Sequence, residues 1–145
     1  MISGQRLRTH RRIALWTILL LAVPSLLGAA EITAEQRNFF ESQVRPLLAA
    51  KCYACHRQQA KAVKGGLLLD SLAGVTKGGD SGPVIVAGQP QKSLLVAAIQ
   101  YRDTEMPPDG KLADAQIATL VKWVQMGAPW PSESTTGLPA QVKEY

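Results

Sequence analysis

The chain has 145 residues, which is room for one domain and excludes a second of ordinary size. Its net charge of +5 is misleading, because the first thirty residues carry four arginines and no acid. The remainder balances twelve Lys and Arg against eleven Asp and Glu, so the basic character gives no ground for a nucleic-acid surface.

The first thirty residues read as a signal peptide. Arg6, Arg8, Arg11 and Arg12 form a basic start, and Ile13 to Leu27 form an apolar run broken by Pro24. Gly28, Ala29 and Ala30 suit a cleavage site, which leaves Glu31 as the new N-terminus. The competing reading is an uncleaved anchor, for which the run is short against the roughly 20 residues of a span. The expectation is therefore an exported protein, periplasmic or at the cell surface, with membrane attachment only if the leader stays uncut.

Thr33 followed by Gln36 forms a capping box and opens a helix expected from Ala34 to Lys51. Phe40, Val44, Leu47 and Leu48 share one face of it, while Pro46 predicts a kink or break near Val44–Arg45. Residues 57–92 read as a long glycine-punctuated loop. In it, Leu67–Leu69 and Val84–Val86 are either ligand-facing loop or a small strand pair, and Asp70-Ser71 can start one helical turn.

Ser93 is expected to cap a second helix running to about Tyr101. A sharp turn follows over 102–112 around Met106-Pro107-Pro108. Asp114 is expected to cap a third helix, with Ile117, Leu120, Val121 and Val124 on its apolar face and Gly127 as the residue that ends it. Trp123 is placed to touch either a ligand or the first helix. Residues 31–130 form the domain, and residues 131–145 have linker composition. After the leader only two phenylalanines, two tryptophans and three tyrosines remain. That is a thin core for a domain with so long a loop, and a large flat apolar cofactor would fill it.

The chemistry lies in Cys52-Tyr53-Ala54-Cys55-His56. Cys-x-x-Cys-His is the attachment signature of c-type haem. Two intervening residues make one helical turn, so two thiols can add to the two vinyl groups at one side of a porphyrin. His56 then falls beneath the iron. Three other readings compete. A Cys52–Cys55 disulfide would close a tiny loop and constrain little of the unfolded chain. A thioredoxin-type pair follows a strand, whereas a helix is expected here. A structural zinc site needs four ligands, and after the leader the chain offers two cysteines and one histidine.

His10 lies in the leader, so a second histidine ligand is excluded for the processed chain. Met106 and Met126 remain as sulfur donors. Met126 closes the third helix and reads as packing, whereas Met106 stands in a loop stiffened by two prolines. Met106 is therefore the expected sixth ligand, as in Met/His electron-transfer haems. Arg45, Lys51, Arg57, Lys61 and Lys64 lie between Ser42 and Leu69 with no acid among them. They form either a solvated loop face or a basic rim that steers an acidic partner.

With these residues in view, the stretch from Phe39 to Pro131 resembles the N-terminal cytochrome c domain of large exported planctomycete proteins. The matching segments include Phe-Phe-Glu-Ser-Gln-Val-Arg-Pro-Leu-Leu (39–48), Cys-Tyr-Ala-Cys-His (52–56), Lys-Gly-Gly-Leu-Leu-Leu-Asp-Ser (64–71) and Gly-Gly-Asp-Ser-Gly-Pro (78–83). Gly-Gln-Pro-Gln-Lys-Ser-Leu-Leu (88–95), Met-Pro-Pro (106–108) and Trp-Val-Gln-Met-Gly-Ala-Pro-Trp-Pro (123–131) continue the series.

The resemblance implies a mostly α, mono-haem cytochrome c-like fold with about three main helices and a glycine-rich loop wrapping the haem. It implies Cys52 and Cys55 as thioether residues, His56 as the proximal ligand and Met106 as the distal ligand of one covalent haem c. The expected function is single-electron transfer without substrate turnover, with a redox partner protein or fused domain and no nucleic acid. The alternative is a haem module with an open distal site that binds or senses a small ligand.

Overall fold

The computed structural model describes residues 31–131, together with Met1. The expected signal peptide and the linker-like tail from residue 132 lie outside the described residues.

The first helical stretch is continuous from α1 (Ala34–Phe39) through a π-helical segment (Phe40–Val44) into α2 (Arg45–Lys51). Thr33 and Gln36 form the anticipated capping box, with the Gln36 amide donating to Thr33 Oγ1 at 3.1 Å and the Thr33 amide to Gln36 Oε1 at 2.9 Å. Pro46 does not break the helix. Proline has no N–H to donate and its ring crowds the carbonyl four residues back. The chain absorbs this by widening the preceding turn, and the Arg45 amide reaches Phe40 O, five residues back. Phe40, Val44, Leu47 and Leu48 all stay buried across the wide turn.

Among the described residues there is no strand; the sole ladder contact is one bridge between Gly79 and Gly82. The two short apolar runs are loop, with Leu69 and Val84 buried. Ser71 caps the short α3 (Leu72–Lys77) by accepting from the Gly74 amide at 3.1 Å. The loops cross where the Asp80 amide donates to Gly65 O at 2.8 Å. Gly79 is required there, because a Cβ would sit 2.6 Å from Gly65 O.

Two capping expectations need correction. Ser93 precedes α4 (Leu94–Ile99), but its hydroxyl does not cap it. Only 1% exposed, that hydroxyl accepts from the Val86 amide at 2.9 Å and donates to Gln89 O at 3.0 Å, which closes the preceding loop. Asp114 is the first residue inside α5 (Asp114–Gln125), and Ala113 holds the cap position. Gln116 reaches back to the Ala113 amide in place of a capping side chain. α4 is also shorter than expected, since Tyr101 leaves the helix with φ of 62°.

α5 ends as its glycine foretold. Gly127 donates to Val124 O and Ala128 to Trp123 O, the paired bonds of a Schellman motif, with Gly127 at φ of 95°. Trp123 faces the first helical stretch. Its ring packs at 5.9 Å from Phe40 and 6.1 Å from Trp130, and Phe40 and Trp130 lie 4.6 Å apart. Arg45 covers this trio from outside, 4.9 Å above Phe40, while paired with Glu41. The aromatic core thus joins the first helical stretch to α5. The turn that follows α2 and the residues of α4 wall a cleft.

Candidate functional site

α2 runs directly into the Cys-x-x-Cys-His turn. The Cys52 amide continues the helical ladder to Leu48 O at 2.8 Å. The Cys55 and His56 amides then both donate to Cys52 O, at 3.2 and 2.9 Å, which is the single turn the spacing requires. The loop folds back onto this turn, with the Lys64 amide donating to Cys55 O at 3.1 Å and the Leu69 amide to His56 O at 2.8 Å. Asp70 adds a side-chain tie by accepting from the Gln58 amide at 2.9 Å.

His56 is half-buried, with Nδ1 3.3 Å from the carbonyl oxygen of Leu67. A carbonyl can only accept, so the bond puts the proton on Nδ1 and leaves the Nε2 lone pair free as a donor to metal.

On the far side, α4 holds the Met106 loop. The Met106 amide donates to Ala98 O at 3.2 Å, and the Tyr101 hydroxyl donates to Pro107 O. The Met106–Pro107 peptide is cis. Met106 and His56 line one cleft of about 570 Å³. Cys52 and Cys55 lie at its base, and Leu67, Leu69, Val84, Leu95 and Ile99 supply aliphatic walls. The volume is in the range of small-molecule and cofactor sites. All four residues singled out from the sequence, Cys52, Cys55, His56 and Met106, therefore line the same space. Met126 and Trp123 do not line it; Met126 packs against the core.

The two cysteines are free. Burial pushes the Cys52 thiol up to about 11, opposite to the lowered value that makes a redox-active Cys-x-x-Cys pair reactive. Among the described residues no three His, Cys, Asp or Glu side chains converge to hold a metal ion, so the zinc donor set is lacking. An imidazole nitrogen, a thioether sulfur, two free thiols and an apolar cleft between them do fit a covalently held haem.

Several features of the site have no sequence signature. The Leu67 carbonyl, the Asp70 tie and the α4 wall come from contacts between distant segments. Two buried oxygens, Tyr53 Oη and Asp70 Oδ1, have no hydrogen-bond partner.

The fold and the site together are those of a mostly helical module compatible with the cytochrome c class, with its Cys-x-x-Cys-His turn at the end of a helix. Residues 52–110 match the family described as planctomycete cytochrome C, and this part of the chain is a planctomycete-type cytochrome c domain. No curated protein and no solved structure matches the chain.

Proposed function

We propose that the chain is an exported electron carrier holding one haem c. The observation that carries this reading is the convergence of both thiols, the His56 ring and the Met106 side chain on one apolar cleft. The bound iron would supply a one-electron Fe(III)/Fe(II) couple.

The chain's own residues do the rest. Cys52 and Cys55 each add S–H across a vinyl group, so the cofactor cannot leave after export. His56 offers Nε2 while Leu67 O holds its ring. Met106 offers its sulfur from a loop tied to α4 through Ala98 O and Tyr101. Leu69, Val84, Leu95 and Ile99 exclude water, which together with the thioether donor favours the less charged ferrous state. Residues 1–30 act as the export leader, and attachment follows translocation.

The open-site alternative needs Met106 to stay off the iron and a polar distal group to hold the incoming ligand. Leu94, Leu95, Ala97, Ala98, Pro107 and Pro108 line the cleft with Met106, together with the polar Asp103, Thr104 and Asp109, so the two forms differ in whether Met106 itself binds the iron. A pyridine haemochrome spectrum with mass analysis of the exported protein tests the reading. One haem per chain and a mass lacking the leader are expected. A mass equal to the bare polypeptide would overturn it.

A further inference from the structure

Only one of the two carboxylate oxygens of half-buried Asp70 has a bonding partner. Oδ2 accepts from the Gln58 amide at 2.9 Å, which ties the loop to the segment just after His56. Oδ1 is shut off from solvent and has no hydrogen-bond partner. A loop tie of this kind needs one acceptor oxygen and no charge. An asparagine carries that oxygen too, so the tie does not account for a carboxylate. Nor is the charge compensated. The one ion pair among the described residues is Arg45–Glu41. Arg45 is the cation whose charge reaches Tyr53, and Glu41 already holds it. The Tyr53 proton is held mainly by burial, and the Asp70 charge adds to that hold. A carboxylate kept partly out of water without a partner calls for a reason beyond packing.

Its position gives that charge a target. The Leu69 amide, one residue before Asp70, donates to His56 O at 2.8 Å, and the Leu69 side chain lines the cleft. The carboxylate itself bonds to the amide two residues after His56. Leu69 and Asp70 therefore clasp the proximal segment between them, and the charge is fixed behind it. A fixed negative charge there stabilises ferric iron, the more positive state. It acts against the thioether donor and the aliphatic walls, which favour the ferrous state.

We propose that Asp70 is the redox-tuning residue of this site: its unpaired carboxylate holds the Fe(III)/Fe(II) potential down, and so restricts the electron donors of the domain to carriers of lower potential still. The proposal rests on the haem reading. Asp70 makes and breaks no bond as the electron arrives. It changes only the free energy of the charge placed on the iron, and through its Oδ1, out of solvent, it does so with little screening by salt.

The test compares the exported, haem-loaded natural chain with Asp70→Asn and Glu35→Gln by potentiometric titration at low and high salt. Asparagine keeps an oxygen for the Gln58 amide and removes the charge. Glu35→Gln makes the same charge change at the exposed start of α1. Asp70→Asn is expected to shift the exchange equilibrium with a reference couple about tenfold toward ferrous iron, which is about 59 mV for one electron and the scale of one incompletely screened charge. The shift should survive high salt. Glu35→Gln should shift the equilibrium by less than about twofold, as an exposed and screened charge does. A second readout needs no haem. In the unloaded chain, the alkaline absorbance change that Tyr53→Phe abolishes should move to lower pH in Asp70→Asn, because the field on the phenol is gone. An unchanged potential in haem-loaded Asp70→Asn, equal shifts in the two variants, or a Tyr53 transition that stays in place overturns the proposal and leaves Asp70 as a loop tie. So does a shift accompanied by a changed axial-ligand spectrum, which would make Asp70 a spacer for His56 instead of a charge. A pyridine haemochrome spectrum on the same samples tells the two failures apart: no haem overturns the haem reading and this proposal with it, whereas haem with an unmoved potential overturns this proposal alone.

Discussion

The His56 ring is held by the backbone of Leu67, eleven residues further along, through a contact of 3.3 Å between Nδ1 and the carbonyl oxygen. The carbonyl's position depends in turn on a loop crossing where Gly79 passes Gly65 with no space for a side chain. Orientation of the His56 ring is therefore tied to glycine packing at this crossing.

Gly79→Ala tests this dependence. The added Cβ would stand 2.6 Å from Gly65 O and 3.1 Å from Leu67 Cβ, and a backbone oxygen cannot step aside as a flexible side chain can. The loop must open, at about 1–3 kcal/mol for an overpacked site. Denaturant midpoints should fall accordingly, and the haem-loaded protein should gain a high-spin fraction as His56 loses its fixed orientation. A variant with unchanged midpoint and spectrum would show that the crossing does not govern the ring.

Met106→Ala and Met126→Ala separate the two sulfur candidates. Met106 lines the cleft, whereas Met126 packs against the core at the end of α5. The first substitution should abolish the charge-transfer band of a methionine–ferric pair and let the reduced protein bind carbon monoxide. The second should leave the spectrum intact and cost less than the roughly 2–5 kcal/mol of a fully buried methionine truncated to alanine, because Met126 is half-buried. If the Met106 variant keeps the band, the sixth ligand is another group.

Much of the site was legible because it is local. The Cys-x-x-Cys-His turn, the Ser71 cap, the Gly127 terminus and the buried stripe of Phe40, Val44, Leu47 and Leu48 each need only residues a few positions apart. The π-helical turn before Pro46 was not legible. A missing N–H can be met by a break, a kink or a wider turn, and the choice depends on whether Phe40 and Leu48 both reach the core. Ser93 and Asp114 misled for a related reason. A serine hydroxyl bonds whichever backbone comes near, and here that is Val86 and Gln89. α4 shows no single apolar face, because Leu95 and Ile99 line the cleft while Val96 is also buried.

Burial of two neighbouring acids gives a pH signature that differs between the loaded and unloaded chain. Cys52 is pushed up to about 11 by burial. Tyr53 is pushed up to about 12, mainly by burial, with Arg45 acting against the rise and Asp70 adding to it. Both values are raised in the folded state, so folding favours the protonated forms. Their contribution is complete below the unfolded values of 9.0 and 10.0 and is lost as pH climbs through the folded ones. The unloaded chain should lose stability in two overlapping windows, pH 9–11 and pH 10–12. In the loaded chain Cys52 is a thioether with no proton to lose, so only the upper window should remain. Tyr53→Phe should remove that upper window and, by deleting a buried hydroxyl without a partner, leave stability at neutral pH unchanged or higher. Identical alkaline profiles for loaded and unloaded protein would contradict attachment at Cys52.

Trp123 carries two separable contributions. Its ring fills the centre of the trio with Phe40 and Trp130, fully buried, and its indole N–H donates to Pro129 O at 3.0 Å. Trp123→Phe keeps an aromatic in the trio but leaves a buried carbonyl without its donor, which costs about 1–3 kcal/mol. Trp123→Ala removes the ring as well, at about 3–5 kcal/mol. That second figure is a large share of the roughly 5–15 kcal/mol available to a domain, so the unloaded Ala variant should be marginally folded at best. None of the three rings lines the cleft, so neither substitution removes a residue that faces it. Thermal unfolding of the haem-loaded variants should therefore show lowered midpoints with the spectrum of the folded protein unchanged. A Trp123→Phe variant whose spectrum shifts before its stability does would place the aromatic core in contact with the cofactor, against the geometry found here.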